Sequence, residues 1–222
     1  MQMVNMKYRK FYISILFLFL LAGCQAQNLT ADSLPWVGDE RILFKDDFTH
    51  QTGGWKIYQD SLSFIGYQAG GFRLRANVPH YQFWSVPGLS LKDVMVFTSA
   101  RKLGGPDNNI FGLLCRYQDP ENYYALVIGA DGYYGIYKMV SGQQSLIAQK
   151  HMDFSQVINR GKGKNELSAL CKDDQLALIV NETPLIVVED DTFEAGDVGL
   201  IVGNFSEPGV DILFDNFIVV KP

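Results

Sequence analysis

The chain has 222 residues, room for one large domain or two small ones, and 47% hydrophobic against 19% charged content supports a sizeable buried core. A net charge of −5 lacks the basic footprint that nucleic acid demands, so no nucleic-acid partner is expected. With 21 glycines and 13% aromatics, the composition suits many short strands joined by tight turns.

The first element in chain order lies outside any fold. Lys7, Arg9 and Lys10 form a positive stretch, followed by an apolar run from Phe11 to Leu21 broken only by Ser14. That run is shorter than the roughly 20 residues a membrane-spanning helix needs. It ends in Leu21-Ala22-Gly23-Cys24, which resembles the lipobox of bacterial lipoproteins. The resemblance implies a diacylglycerol on the Cys24 sulfur and cleavage just before it, leaving a lipoprotein held to the outer face of a membrane. An ordinary signal peptide carrying an unrelated cysteine is the alternative. Met6 heads the more typical signal sequence, so translation has two candidate starts, Met1 and Met6. Residues 1–23 then form the signal peptide, and residues 24–41 the lipidated cysteine with a polar tether. Asn28, Thr30, Asp32, Ser33 and Pro35 give that tether no apolar periodicity, and Trp36 is its one residue suited to docking back on the domain.

Residues 42–222 read as almost entirely β. From Gly71 to Val78 the pattern alternates, with Phe72, Leu74 and Ala76 on one side and Arg73 and Arg75 on the other. Further strands are expected at 94–100, 110–117, 123–128, 133–140, 166–171, 176–180, 185–188, 198–202 and 210–219. Turn signals separate them, among them Asp131-Gly132, Ser141-Gly142, Asp173-Asp174 and Glu207-Pro208-Gly209. No stretch sustains a helical period; residues 154–159 offer one turn at most. Recurring short strands of this kind signal a sandwich or barrel.

Several stretches resemble the concanavalin A-like lectin/glucanase domains of bacterial surface proteins. Asp46-Asp47-Phe48 ahead of Gly54-Trp55 matches the opening of such domains, and 112–117, Asn122-Tyr123-Tyr124-Ala125 and 131–136 match further in. Gly196-Asp197-Val198-Gly199-Leu200 and Phe214-Asp215-Asn216-Phe217 match near the end. The fold implied is an all-β jelly roll of two antiparallel sheets, the larger one concave on its outer side. The superfamily includes lectins, laminin-G-like modules, glycosidases and 3-keto-disaccharide hydrolases, so the resemblance by itself selects no activity.

Catalysis on this fold calls for convergent carboxylates. Glu189-Asp190-Asp191-Thr192-Phe193-Glu194 spells the Glu-x-Asp-x-x-Glu string of family-16-type glucanases, but the apolar strand ends before it, and a solvated turn is the better reading. His50, His80 and His151 lie far apart without metal-ligand spacing, and no Gly-x-Ser-x-Gly elbow is present. The superfamily implies a structural Ca²⁺ near the paired chain ends, with Asp46, Asp47 and Asp215 as its oxygen donors; the alternative is that these acids cap strands. With Cys24 lipidated, Cys115 and Cys171 are left as an even pair, either a disulfide or two buried thiols.

The ligand surface expected is a concave face. If Gln118 to Glu121 joins two strands, Arg116 faces Tyr123 on the outer side, while Phe111, Leu113 and Cys115 face the core. A three-residue turn at Ala130 to Gly132 adds Tyr137 to that outer face; a two-residue turn removes it. Arg116, Tyr123 and Tyr137 would then form a platform for sugar stacking and hydrogen bonding. The function expected is a non-catalytic, surface-anchored lectin-like module for glycan or another extracellular partner. Its rivals are a glycoside or 3-keto-glycoside hydrolase and a structural lipoprotein of a membrane complex.

Overall fold

The computed structural model describes residues 41–68 and 70–222, and none of these is α-helical. The strands are β1 (Ile42–Asp46), β2 (Tyr58–Gln59), β3 (Ser63–Gln68), β4 (Gly71–Ala76), β5 (Gln82–Ser85), β6 (Val94–Gly104), β7 (Asn109–Asp119) and β8 (Asn122–Ile128). They continue as β9 (Tyr133–Val140), β10 (Gln143–Leu146), β11 (Asp153–Phe154), β12 (Asn165–Lys172), β13 (Gln175–Val180), β14 (Thr183–Glu189), β15 (Asp197–Asn204) and β16 (Val210–Val220). A nine-stranded sheet runs β14-β13-β12-β6-β16-β4-β3-β2, with β1 paired to the far half of β16. A seven-stranded sheet runs β10-β9-β8-β7-β15-β5, with β11 also on β9. Lipidation at Cys24 concerns a residue outside the described part of the chain.

The two sheets pack face to face because each strand presents alternate apolar residues inward. Phe72, Leu74 and Ala76 of β4 are fully buried, as the alternation required, while Arg73 and Arg75 point outward. From the other sheet Phe111, Leu113 and Cys115 meet Ile128, Leu126 and Tyr124 in register, all within one core. Cys115 of β7 and Cys171 of β12 form a disulfide, their Cα atoms 6.8 Å apart, so a covalent bond crosses between the sheets.

Asp46 explains the opening motif through its hydrogen bonds. Its carboxylate accepts hydrogen bonds from the Phe48 amide (2.8 Å), the Trp55 indole (3.0 Å) and the Tyr67 hydroxyl (3.2 Å). Trp55 in turn packs edge-on against Phe48 and Phe217, tying β1 to the core. Asp47 is instead exposed and held below the usual carboxylate range, chiefly by hydrogen bonds from Thr49. Burial raises Asp215, which feels Asp47 but also the cations Lys164 and Arg101. Among the described residues no three potential ligands converge. The three donors that engage Asp46 make this corner a hydrogen-bonded strand junction.

Candidate functional site

The site is built on the outer face of the seven-stranded sheet, the smaller of the two and not the larger one that the family resemblance implied. Two hairpins place it. In the β8–β9 hairpin, Gly129 donates to the Tyr133 carbonyl (2.7 Å), which leaves a three-residue turn, Ala130 to Gly132. Gly132 sits at φ +101°, a conformation that side-chain-bearing residues rarely adopt. The register that follows pairs Ala125 with Tyr137 and sets Tyr137 beside Tyr123, ring centroids 6.4 Å apart.

The β7–β8 hairpin overturns the expected place of Arg116. Its turn is tighter than anticipated, with Asp119 paired to Asn122 around Pro120-Glu121, and the Asp119 carboxylate accepts the Glu121 amide (2.7 Å). Further along, Leu114 still pairs with Ala125 and Cys115 with Tyr124. Arg116, Tyr117 and Gln118 therefore stand opposite Tyr123 alone. The surplus is absorbed as a bulge, with Arg116 in the left-handed region at φ 50°. Arg116 turns away from the outer face and is 1% exposed. Its guanidinium donates to the carbonyls of Phe193 (2.8 Å) and Lys92 (3.4 Å) and lies 3.5 Å from an Asp93 carboxylate oxygen. Arg116 ties loops together and is no part of a binding platform.

Tyr117 occupies the position expected for Arg116, its ring stacked on Tyr123 at 5.9 Å. Trp84 of β5 completes the row, 5.8 Å from Tyr123, and its indole donates to the Tyr117 hydroxyl (3.2 Å). The rings of Tyr123 and Tyr137, each 1% exposed, are buried in this cluster, so they do not form the open stacking surface foreseen from the sequence. Their hydroxyls both donate to Gln82 Oε1, at 3.2 and 2.9 Å, and Gln82 Nε2 donates to Gln144 Oε1 (2.9 Å). Burial pushes Tyr123 up to about 12 and Tyr137 well above its ordinary value, so both stay protonated.

Beside the row opens a cleft of about 340 Å³. Ile110, Val127, Leu146, Met152 and the exposed Phe205 give it apolar walls. Its polar groups are Gln82, Tyr137, Gln144, His80 and Asn204. Asn204 is committed to backbone, donating to Ala76 and Val78 and accepting from Val210. No carboxylate lines the cleft among the described residues. The glucanase-like string lies elsewhere. Its Asp190 accepts from Tyr124 (2.6 Å) and Lys138 (2.5 Å), residues on the core-facing side of β8 and β9. Burial alone would raise the Asp190 carboxyl, but bonds from Lys138, Thr192 and Tyr124 outweigh it and hold the group at about 2. Glu189, Asp191 and Glu194 are exposed, as expected for a solvated turn.

Gln82, Trp84, Tyr117 and Gln144 were not foreseen. Gln82-Phe83-Trp84-Ser85 does alternate, with Gln82 and Trp84 on one face, but four residues between His80 and Pro87 make a faint strand signal. Asp119-Pro120 was the signal for the tight turn, and with it for the bulge.

No family model and no curated protein matches this sequence. Solved structures do. A carbohydrate binding module, CBM66 from Bacillus subtilis, aligns at TM-score 0.63 and 19% identity, over 76% of this chain and 96% of its own. The fold is the concanavalin A-like jelly roll. The GH43 protein BlXynB from Bacillus licheniformis aligns at TM-score 0.60 and 16% identity, over 80% of this chain but only 39% of its own. A protein of unknown function with a galectin-like fold, also from Bacillus subtilis, aligns at TM-score 0.58 and 12% identity, over 82% of this chain and 98% of its own. At these identities the likeness is one of fold.

Proposed function

We propose that this chain is an exported, lipid-anchored and non-catalytic module that binds glycan in the cleft of its seven-stranded sheet. The observation that carries the reading is the cleft itself: apolar walls, an amide–hydroxyl chain from Tyr137 through Gln82 to Gln144, and no carboxylate in the lining among the described residues. Sugars match such a surface, because their C–H faces pack on apolar groups while their hydroxyls pair with amides and phenols. A cleft of about 340 Å³ lies within the usual size range of small-ligand sites, on the order of 300–1,000 Å³. Two of the structural neighbours, a carbohydrate binding module and a GH43 protein, lend the same direction. Hydrolysis is disfavoured because a glycosidase needs paired acids flanking its substrate.

Glycan-array binding followed by calorimetry on the exported chain tests the reading. Gln144→Ala and Phe205→Ala should each weaken binding by about 1–2 kcal/mol with no loss of thermal stability, since both side chains are exposed. Absence of binding across a broad array would overturn it. The anchor has its own test: Cys24→Ala should release the domain from membranes or leave an uncleaved precursor. Unchanged fractionation and processing would remove the lipid from the proposal.

A further inference from the structure

The glycan-binding reading leaves open which sugars enter, and the pattern of donors and acceptors narrows them. We infer that the cleft takes an uncharged saccharide and turns acidic ones away; the inference rests on the binding reading above.

The polar chain has a fixed direction. Tyr123 and Tyr137 both donate to Gln82 Oε1, which fills its two lone-pair positions, and Gln82 Nε2 donates a hydrogen bond to Gln144 Oε1. Each tyrosine has spent its one proton, and both remain protonated phenols, so what Tyr137 offers in the cleft is an acceptor. At the other end the Gln144 amide nitrogen, on an exposed side chain, keeps its protons for a ligand. Beside the His80 imidazole, the cleft thus presents one acceptor and one donor tied through Gln82. Sugar hydroxyls suit both ends, because one hydroxyl can donate to Tyr137 while another accepts from Gln144.

A carboxylate or sulfate has only acceptors. It would be repelled by the Tyr137 lone pairs and would lose water against walls of Ile110, Val127, Leu146 and Met152. No lysine or arginine lines the cleft among the described residues, and the single imidazole of His80 is the one lining group there able to carry positive charge, too little to offset that desolvation. Arg116, the cation that the sequence placed at the site, is spent on the Phe193 and Lys92 carbonyls.

The test compares matched neutral and uronic-acid-terminated oligosaccharides by calorimetry on the exported chain, at low and high salt. Neutral glycans should bind with an affinity that changes less than about twofold with salt, since no ion pair is there to be screened. Their uronic counterparts should bind at least about tenfold more weakly. Gln144→Lys then places a cation at the mouth and should raise affinity for the acidic glycans about tenfold. Equal or tighter binding of uronic glycans to the unaltered chain overturns the inference but leaves glycan binding standing. Failure of Gln144→Lys to admit acids would overturn the assignment of Gln144 as the ligand donor. If neither kind binds, the binding reading falls and this one with it.

Discussion

The β7–β8 and β8–β9 hairpins share a strand and differ in how they meet their register. In β8–β9 the turn and the apolar alternation agree, so the pairing runs unbroken from Ile128–Tyr134 to Tyr123–Met139. In β7–β8 the turn pairs Asp119 with Asn122, whereas the core pairs Cys115 with Tyr124, and the two demands are out of step by two residues. Burial of Cys115, Leu113 and Phe111 wins, because slipping a strand would expose a whole face. The misfit collects at Arg116, and the bulge carries its side chain from the outer face into a buried tie between loops. A tight turn therefore sets where a hairpin bends, while the core sets which residues share a face.

Loss of the disulfide beside the bulge should have the largest effect. Cys115 and Cys171 are 56 residues apart, and the loop-entropy relation puts the Cys115→Ala/Cys171→Ala loss at about 4 kcal/mol, measured by denaturant unfolding. Arg116→Ala should cost about 3 kcal/mol, because carbonyls of Phe193 and Lys92 and the carboxylate of Asp93 lose a buried partner. Glycan affinity per folded molecule should stay unchanged; a selective loss of binding with full stability would falsify the placement of Arg116 away from the site.

At the regular hairpin the effects are smaller. Gly132→Ala forces a side chain into φ +101° against the Phe154 ring and should cost about 1–3 kcal/mol. An unchanged melting temperature would mean the three-residue turn can be replaced by another. Tyr137→Phe removes one bond to Gln82 and should cost about 1 kcal/mol of stability, and glycan affinity should drop as well. At neutral pH the Asp190 clasp is at full strength. Its folded value of about 2 lies below the ordinary 3.8, so its contribution is complete above that ordinary value and is lost as pH falls through about 2. Lys138→Ala should flatten the stability curve in that window; an unaltered acid limb would show that the clasp adds nothing there.

Much of the fold was legible because period-2 patterning is a local property. The alternating strand β4 fell where Phe72-Arg73-Leu74-Arg75 placed it, and β9 fell on the expected residues Tyr133–Val140. The short strands β1, β2, β3, β5, β10 and β11 went unread, since a few residues carry little periodic signal. The site suffered most from this, as two of its residues, Gln82 and Trp84, lie on β5.

By itself the sequence determined the all-β class and the inward set of β7 and β8, because burial dictates side-chain parity over several residues. It also determined the outward parity of Tyr123, while that of Tyr137 hung on a turn length that the structure decided. Tertiary structure alone decided that Arg116 leaves the face, that Tyr117 replaces it, and that Gln82 and Gln144 meet across 62 residues. Those outcomes depend on how two locally satisfactory registers are reconciled and on which strand becomes β7's second neighbour. Neither quantity is written in any window of sequence, since each is the resolution of a conflict between distant contacts.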